Sequence, residues 1–210
     1  MKKVIAIFLF TSISFFSFAQ NFNFGIQAGP SFSKISKTYI DNNNNDLETD
    51  YLVGFHAGVY TKFGIGDFSI QPEANFSTKA FERVEDIKNT SLKTDYRTTL
   101  SYLDVPILFQ ANVAKIVYLF AGPQVSFLVS QKTKGTIYDS NGNSLSSQNT
   151  KLDDFNTTEA SFVFGGKVKV DKLSIGARYN FGLTDVYKND PSNEKARNNW
   201  FQLTLGIDLI

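Results

Sequence analysis

The chain ends in a segment with an apolar residue at every second position, Trp200-Phe201-Gln202-Leu203-Thr204-Leu205-Gly206-Ile207-Asp208-Leu209-Ile210. Successive side chains of a β-strand point to opposite faces. The odd-numbered residues from Phe201 to Leu209 therefore share one face, and the even-numbered residues from Gln202 to Asp208 share the other. A soluble sheet buries such an apolar face, whereas a membrane barrel turns it towards lipid.

Seven upstream segments show the same alternation and are rich in Phe, Val, Ile, Tyr and Thr, which favours strands. The eight predicted strands cover residues 22–35, 51–63, 67–83, 96–112, 117–133, 157–170, 173–187 and 197–210. We therefore predict an all-β fold.

The connections between these strands alternate in length. Long polar stretches at 36–50, 84–95, 134–156 and 188–196 are separated by tight turns at 64–66, 113–116 and 171–172. This pattern predicts an eight-stranded antiparallel up-and-down transmembrane β-barrel with short periplasmic turns and long extracellular loops. Segment 134–156 also has the composition of a small hairpin that would extend the sheet.

Residues 1–19 have the features of a secretory signal peptide: two lysines, an apolar run and small residues before the expected cleavage site. Residues 20–210 are then predicted to form one barrel domain. That segment has 19 basic and 20 acidic residues, which argues against a nucleic-acid partner. The chain has no cysteine, so it has no disulfides and no thiolate metal site.

Two strands carry motifs that resemble a known family. They are Ser101-Tyr102-Leu103-Asp104-Val105-Pro106-Ile107-Leu108-Phe109 and Tyr118-Leu119-Phe120-Ala121-Gly122-Pro123, with further matches at 25–29 and 176–185. The set resembles the PorT-like, or "porin family", outer-membrane β-barrels. The resemblance implies a location in the cell outer membrane, contact with its lipid, and assembly by the barrel-assembly machinery. Outer-membrane barrels usually end in an aromatic residue, whereas this chain ends in Ile210.

The faces opposite the apolar ones are predicted to line the barrel interior. They carry Gln27, His56, Glu73, Asn75, Lys79, Asp104, Gln124, Lys167, Arg178, Asn180, Gln202 and Asp208. An eight-stranded barrel is just wide enough for side chains to fill it. We expect a packed structural network of His56, Glu73, Asp104, Gln124, Lys167, Arg178 and Asn180. In it Arg178 lies near Glu73 and Asp104, and the alternative is a narrow proton or ion path.

Aromatic residues lie near both ends of the predicted strands. Membrane barrels carry girdles of such residues at the two water interfaces, although aromatics also occur at the ends of ordinary strands. The predicted interface aromatics are Tyr51, Tyr60, Tyr96, Tyr118, Tyr187 and Trp200.

These observations favour a non-enzymatic outer-membrane protein with a structural, adhesive or secretion-associated role. A secretion-system or surface partner would bind through loops 36–50 and 134–156. One alternative is a lipid-modifying enzyme using His56, the only histidine; another is a soluble lipocalin-like binder with the apolar face inside. No cofactor or metal is expected. The loop Asp41–Asp46 offers oxygen ligands but lacks the glycine and terminal glutamate of a calcium loop.

Overall fold

A computed structural model describes residues 21–36, 52–86, 93–138, 144–150, 155–185 and 197–210. In these ranges nine β-strands form, and no helix is long and apolar enough to cross a membrane. The strands are β1 (Asn21–Ser36), β2 (Leu52–Ile65), β3 (Phe68–Asp86), β4 (Lys93–Ala114), β5 (Val117–Tyr138), β6 (Ser144–Thr150), β7 (Thr158–Val170), β8 (Leu173–Asp185) and β9 (Arg197–Asp208).

Eight of these strands close into a barrel. Antiparallel pairing runs from β4 through β3, β2, β1, β9, β8 and β7 to β5, and a β4–β5 pairing completes the ring. The closed eight-stranded antiparallel barrel is therefore confirmed. Closure matters because it gives every barrel strand a hydrogen-bonding neighbour on both sides.

The ninth strand, β6, belongs to a hairpin rather than to the ring. It pairs with the end of β5, from Thr133 opposite Thr150 to Tyr138 opposite Ser144. The hairpin predicted within 134–156 is confirmed. The strands β4 and β5, 22 residues each, are the longest of the described strands.

The two ends of the barrel differ. Two-residue turns at 66–67, 115–116 and 171–172 lie at one end, which we call the turn end; the other is the loop end. Gly66 (φ 60°) and Asp171 (φ 52°) adopt the left-handed conformation, which glycine tolerates readily and Asp more often than most residues. The signal peptide, loop 36–50, Tyr51 and Tyr187 fall, wholly or almost wholly, outside the described residues.

The strands are strongly staggered around the ring. Stepping from partner to partner from Leu103 of β4, through Phe76, Ala57, Ala28, Leu205, Ile175, Val168 and Val117, returns to β4 at Ala114, eleven residues further along. Closure of a barrel requires such a stagger. Side chains at equal distances from the turns in sequence therefore differ in height inside the barrel.

The apolar face of each strand points outwards. Leu205, for example, is 57% exposed, and outward rings pair across neighbouring strands, with centroids 5.5 Å apart for Phe22–Phe63 and for Phe164–Tyr179. A continuous exposed apolar belt of this kind marks a surface that meets lipid. The lipocalin-like alternative, which needs the apolar face inside, is wrong.

Candidate functional site: the polar lumen

The interior of the barrel is lined by the opposite, polar face of the strands. Of the twelve inward residues named from the sequence, eleven are buried and Lys167 is half-buried. Burial of so many polar groups is tolerable only if they bond to one another. The contacts form three layers, at the middle, the loop end and the turn end of the lumen.

The middle layer is built around Glu73 of β3, which is 5% exposed. Its carboxylate accepts hydrogen bonds from Arg178 Nη1 on β8 (2.7 Å), Gln27 Nε2 (2.7 Å), Asn75 Nδ2 (2.8 Å) and Gln71 Nε2 (2.7 Å). The Glu73–Arg178 ion pair is buried and spans the lumen. A buried charge is stable only with a paired charge and further hydrogen bonds, and Glu73 has both.

A chain of hydrogen bonds connects Arg178 to the only histidine. Arg178 Nε donates to Gln202 Oε1 (2.8 Å), and Gln202 Nε2 donates to Ser31 Oγ (3.0 Å). Ser31 Oγ lies 3.4 Å from His56 Nδ1, and His56 Nε2 lies 3.0 Å from Thr204 Oγ1. His56, 1% exposed, is thus held by two hydroxyl groups inside the lumen.

Asp104 lies elsewhere than predicted. Its Oδ2 accepts a hydrogen bond from Ser77 Oγ (2.6 Å), while its Oδ1 has no hydrogen-bond partner among the described atoms. No hydrogen bond or ion pair joins Asp104 to Arg178, so the prediction that Arg178 serves both carboxylates is wrong: it pairs with Glu73. The stagger is the reason: β4 places Asp104 opposite Asn75, one inward position nearer the loop end than Glu73, which Arg178 pairs with.

Gln124 and Asn180 are two further members of the predicted network. Gln124 Nε2 donates to Ser126 Oγ (3.1 Å), and Asn180 Nδ2 donates to Gln202 Oε1 (3.2 Å). Asn180 therefore joins the middle layer through the same glutamine that orients Arg178.

The loop-end layer has a buried lysine at its centre. Lys79 Nζ of β3 pairs with Glu159 Oε2 of β7 (3.1 Å), and the hydroxyl of Tyr102 donates to the other oxygen of Glu159. The ammonium lies 4.0 Å from the centre of the Tyr102 ring and 3.7 Å from that of Trp200. Such cation–π contacts are strongest when the cation is desolvated, as it is here.

Sequence reasoning missed most of this layer, although the alternation contained the signal. Glu159 occupies the face opposite Phe162 and Phe164, and Tyr102 occupies the face opposite Leu103. Side chains at alternate positions of a strand share a face, and we call this odd or even position the parity of a residue. Parity alone, without regard to polarity, places both side chains inside.

The turn-end layer contains Tyr60 and Asp208, together with Lys62, Lys167 and Lys169. The Tyr60 hydroxyl donates to Asp208 Oδ1 (2.5 Å), and Lys169 forms an ion pair with Oδ2 of the same carboxylate. The Tyr60 ring fits because Gly25 faces it: a Cβ at that position would lie 2.3 Å from Cζ of the ring. Lys167 Nζ donates to Gln71 Oε1 (2.9 Å) and so connects this layer to the middle one.

The described side chains fill the lumen almost completely. Leu100, Tyr102, Leu108 and Val163 pack among the polar groups with no more than 1% exposure. A cavity of about 20 Å³ lies beside Tyr60, Gln71, Glu73, Lys167 and Arg178, enough for a single water molecule. Within the described ranges, no group of three or more His, Asp or Glu side chains is arranged to hold a metal.

Comparison with known proteins identifies the kind of barrel. A family model described as "Outer membrane protein beta-barrel domain" matches residues 18–188. The chain belongs to this outer-membrane family.

Two solved structures are similar to the chain. Ail, the attachment invasion locus protein of Yersinia pestis, solved with the heparin analogue sucrose octasulfate, is 14% identical, with 90% of this chain and 100% of Ail covered and a TM-score of 0.47. Neisserial surface protein A is 12% identical, with 90% and 100% covered and a TM-score of 0.47. No curated protein matches the chain.

The aromatic residues of this outer-membrane barrel require a correction. Tyr60 (3% exposed) and Trp200 (1% exposed) point into the lumen, and the half-buried Tyr118 ring faces the inward lysines Lys62 and Lys167. Their assignment to an interface girdle is wrong, because each has the parity of the inward face. Tyr96 lies in β4, but its side chain is outside the described part, as are Tyr51 and Tyr187.

Replacement of Arg178 tests the middle layer. We expect Arg178→Ala to lower the free energy of unfolding by about 3–5 kcal/mol, because it leaves the buried Glu73 carboxylate without a counter-charge. The measurement is the denaturant midpoint of the protein refolded in lipid vesicles. The double variant Glu73→Gln/Arg178→Gln should lose less, since neither side chain is then charged. An unchanged midpoint for Arg178→Ala would contradict the role of the pair.

Trp200 is the only tryptophan, so its fluorescence reports the loop-end layer directly. In vesicles of brominated lipid, which quench tryptophans that touch the acyl chains, we expect emission close to that in ordinary lipid. The matched control is Trp200→Phe/Phe201→Trp, which moves the indole one residue along to the outward face and should be strongly quenched. Equal quenching of both proteins would place Trp200 outside the lumen.

Proposed function

We propose that the protein is a non-enzymatic, non-conducting component of the outer membrane, with a structural, adhesive or secretion-associated role. The observation that carries this proposal is the filled lumen. Three ion pairs, Lys79–Glu159, Glu73–Arg178 and Lys169–Asp208, connect strands across the barrel at three heights. A solute could pass only by breaking these ion pairs, which would leave buried charges unpaired at a high cost in free energy. The lumen side chains therefore serve to stabilise the barrel.

The loop end is then the part of the molecule that meets partners. The long strands β4 and β5 and the hairpin strand β6 support this, because they continue the sheet where the loops begin. Outer-membrane barrels place short turns in the periplasm and long loops outside. We propose the same orientation here, with a secretion-system or surface partner contacting loops 36–50 and 134–156.

The finer assignment to the PorT-like group is supported by the part that its motif plays in the structure. Tyr102 and Asp104 of the motif point inwards to Glu159 and Ser77, whereas Leu103 and Val105 belong to the outward belt. The proposal includes a cleaved signal peptide at 1–19, surrounding outer-membrane lipid and insertion by the barrel-assembly machinery.

The enzyme alternative depends on His56. Catalysis by this residue would require a substrate to reach a ring that is 1% exposed and bonded to Ser31 and Thr204. A general base acts within hydrogen-bond reach of the proton that it removes. The position of His56 between two hydroxyl groups supports a structural role.

Conductance measurements test the non-conducting lumen. We expect the purified protein, inserted into planar lipid bilayers, to give no stable open conductance above that of the bare bilayer. An open porin inserted in the same bilayers is the positive control. A large and stable conductance would overturn the proposal that the side chains close the lumen.

Labelling of single cysteines tests the orientation, because the native chain contains none. Ser146 is exposed in β6 at the loop end, and Lys115 is exposed in a turn at the other end. On intact cells, a membrane-impermeant maleimide should label Ser146→Cys and should label Lys115→Cys only after the outer membrane is permeabilised. The reverse pattern would invert the proposed orientation.

A further inference from the structure

The turn end of the lumen holds more positive than negative charge. Lys62 of β2 and Lys167 and Lys169 of β7 all have inward parity, and the charges of the three ammonium groups act on one another. Among the described inward residues of this layer, Asp208 supplies the carboxylate. We call these four residues and Tyr118 the turn-end mouth.

The Asp208 carboxylate is already fully engaged. One oxygen accepts the hydrogen bond from Tyr60, and the other pairs with Lys169. Lys62 and Lys167 therefore form no ion pair with a described carboxylate, although Asp208 attracts both ammonium groups and Glu73 attracts that of Lys167. Their ammonium groups lie 5.4 Å and 5.9 Å from the centre of the same Tyr118 ring, and Lys167 also donates to Gln71.

Other carboxylates near the turn end are paired or exposed. Glu73 is paired with Arg178, and Asp67 and Asp171 are exposed at the tips of turns. The carbonyl oxygen of Ile210 at the chain end accepts hydrogen bonds from Phe24 N and Asn23 Nδ2, both at 3.3 Å. Two ammonium groups that share one aromatic ring repel each other. An anion between them would attract both and outweigh that repulsion.

We infer that the turn-end mouth binds a phosphate-class oxyanion between Lys62 and Lys167. The three lysines and Asp208 give the mouth a net charge of +2, which matches a dianion, and ammonium groups donate strong, charge-assisted hydrogen bonds to phosphate oxygens. Lys62 is half-buried, so its side chain is still accessible from the solvent beyond the turns. The cavity beside Lys167 has space for only one water molecule, so an anion would stay at the mouth. The anion can come from free phosphate or from a lipid headgroup of the adjoining leaflet.

Titration with inorganic phosphate tests this site. The full-length protein in nanodiscs of zwitterionic lipid should show a saturable ³¹P NMR shift and a rise in unfolding temperature that sodium chloride at equal ionic strength does not produce. Lys62→Met/Lys167→Met should weaken phosphate binding by about tenfold or more, since two charged hydrogen bonds are removed. Lys115→Met/Lys172→Met removes the same charge from exposed turn positions and should bind as the native protein does.

Folded outer-membrane barrels change their electrophoretic mobility when they are heated. Each variant is compared only if it shows the same heat-dependent change in gel mobility as the native protein. Nanodiscs of phosphatidylglycerol separate the two sources. If proteins that keep Lys62 and Lys167 no longer respond to added phosphate in these discs, the lipid headgroup occupies the site. If their response is unchanged, the site binds the free anion. Equal affinity of the two double variants, or a response reproduced by sodium chloride, would overturn the inference.

Discussion

The structure depends on one constraint: in lipid, every backbone N–H and C=O group must find its partner within the protein. A sheet satisfies this only when it closes on itself, and here the β4–β5 and β1–β9 pairings give the ring no free edge. Closure in turn fixes which way each side chain points. The alternation of apolar and polar residues therefore reflects two environments, lipid outside the barrel and the protein's own polar groups inside it.

The number of strands determines what the inside can be. Eight strands leave space for side chains and little else, so charges on different strands are forced together. The three ion pairs connect residues that are 105, 80 and 39 positions apart in sequence. A slip of one residue in the register of any of these strands would move its charges into lipid. We infer that the pairs specify the register of the barrel as much as they stabilise it.

The sequence was sufficient for the fold and for the inward face, because both follow from a period of two that is visible in single strands. It was not sufficient for partners across the lumen. Arg178 meets Glu73 and not Asp104 because of a stagger that accumulates over the whole ring, which no single strand contains. Tyr60 and Trp200 were misplaced for a different reason. Aromatic character alone favours an interface girdle, whereas Tyr60 alternates in step with His56, and Trp200 with Gln202, on the inward face.

The narrow slot between Gly25 and Tyr60 shows how far a small change inside the lumen would reach. A methyl group added to Gly25 on β1 would displace the phenol of β2, which holds Asp208 of β9, which in turn neutralises Lys169 of β7. Close-packed interiors transmit strain in this way. Residues on the outer face can therefore vary one at a time, since fluid lipid adapts to each change. Residues inside are close-packed against one another, so a change at one position requires compensating changes at its neighbours.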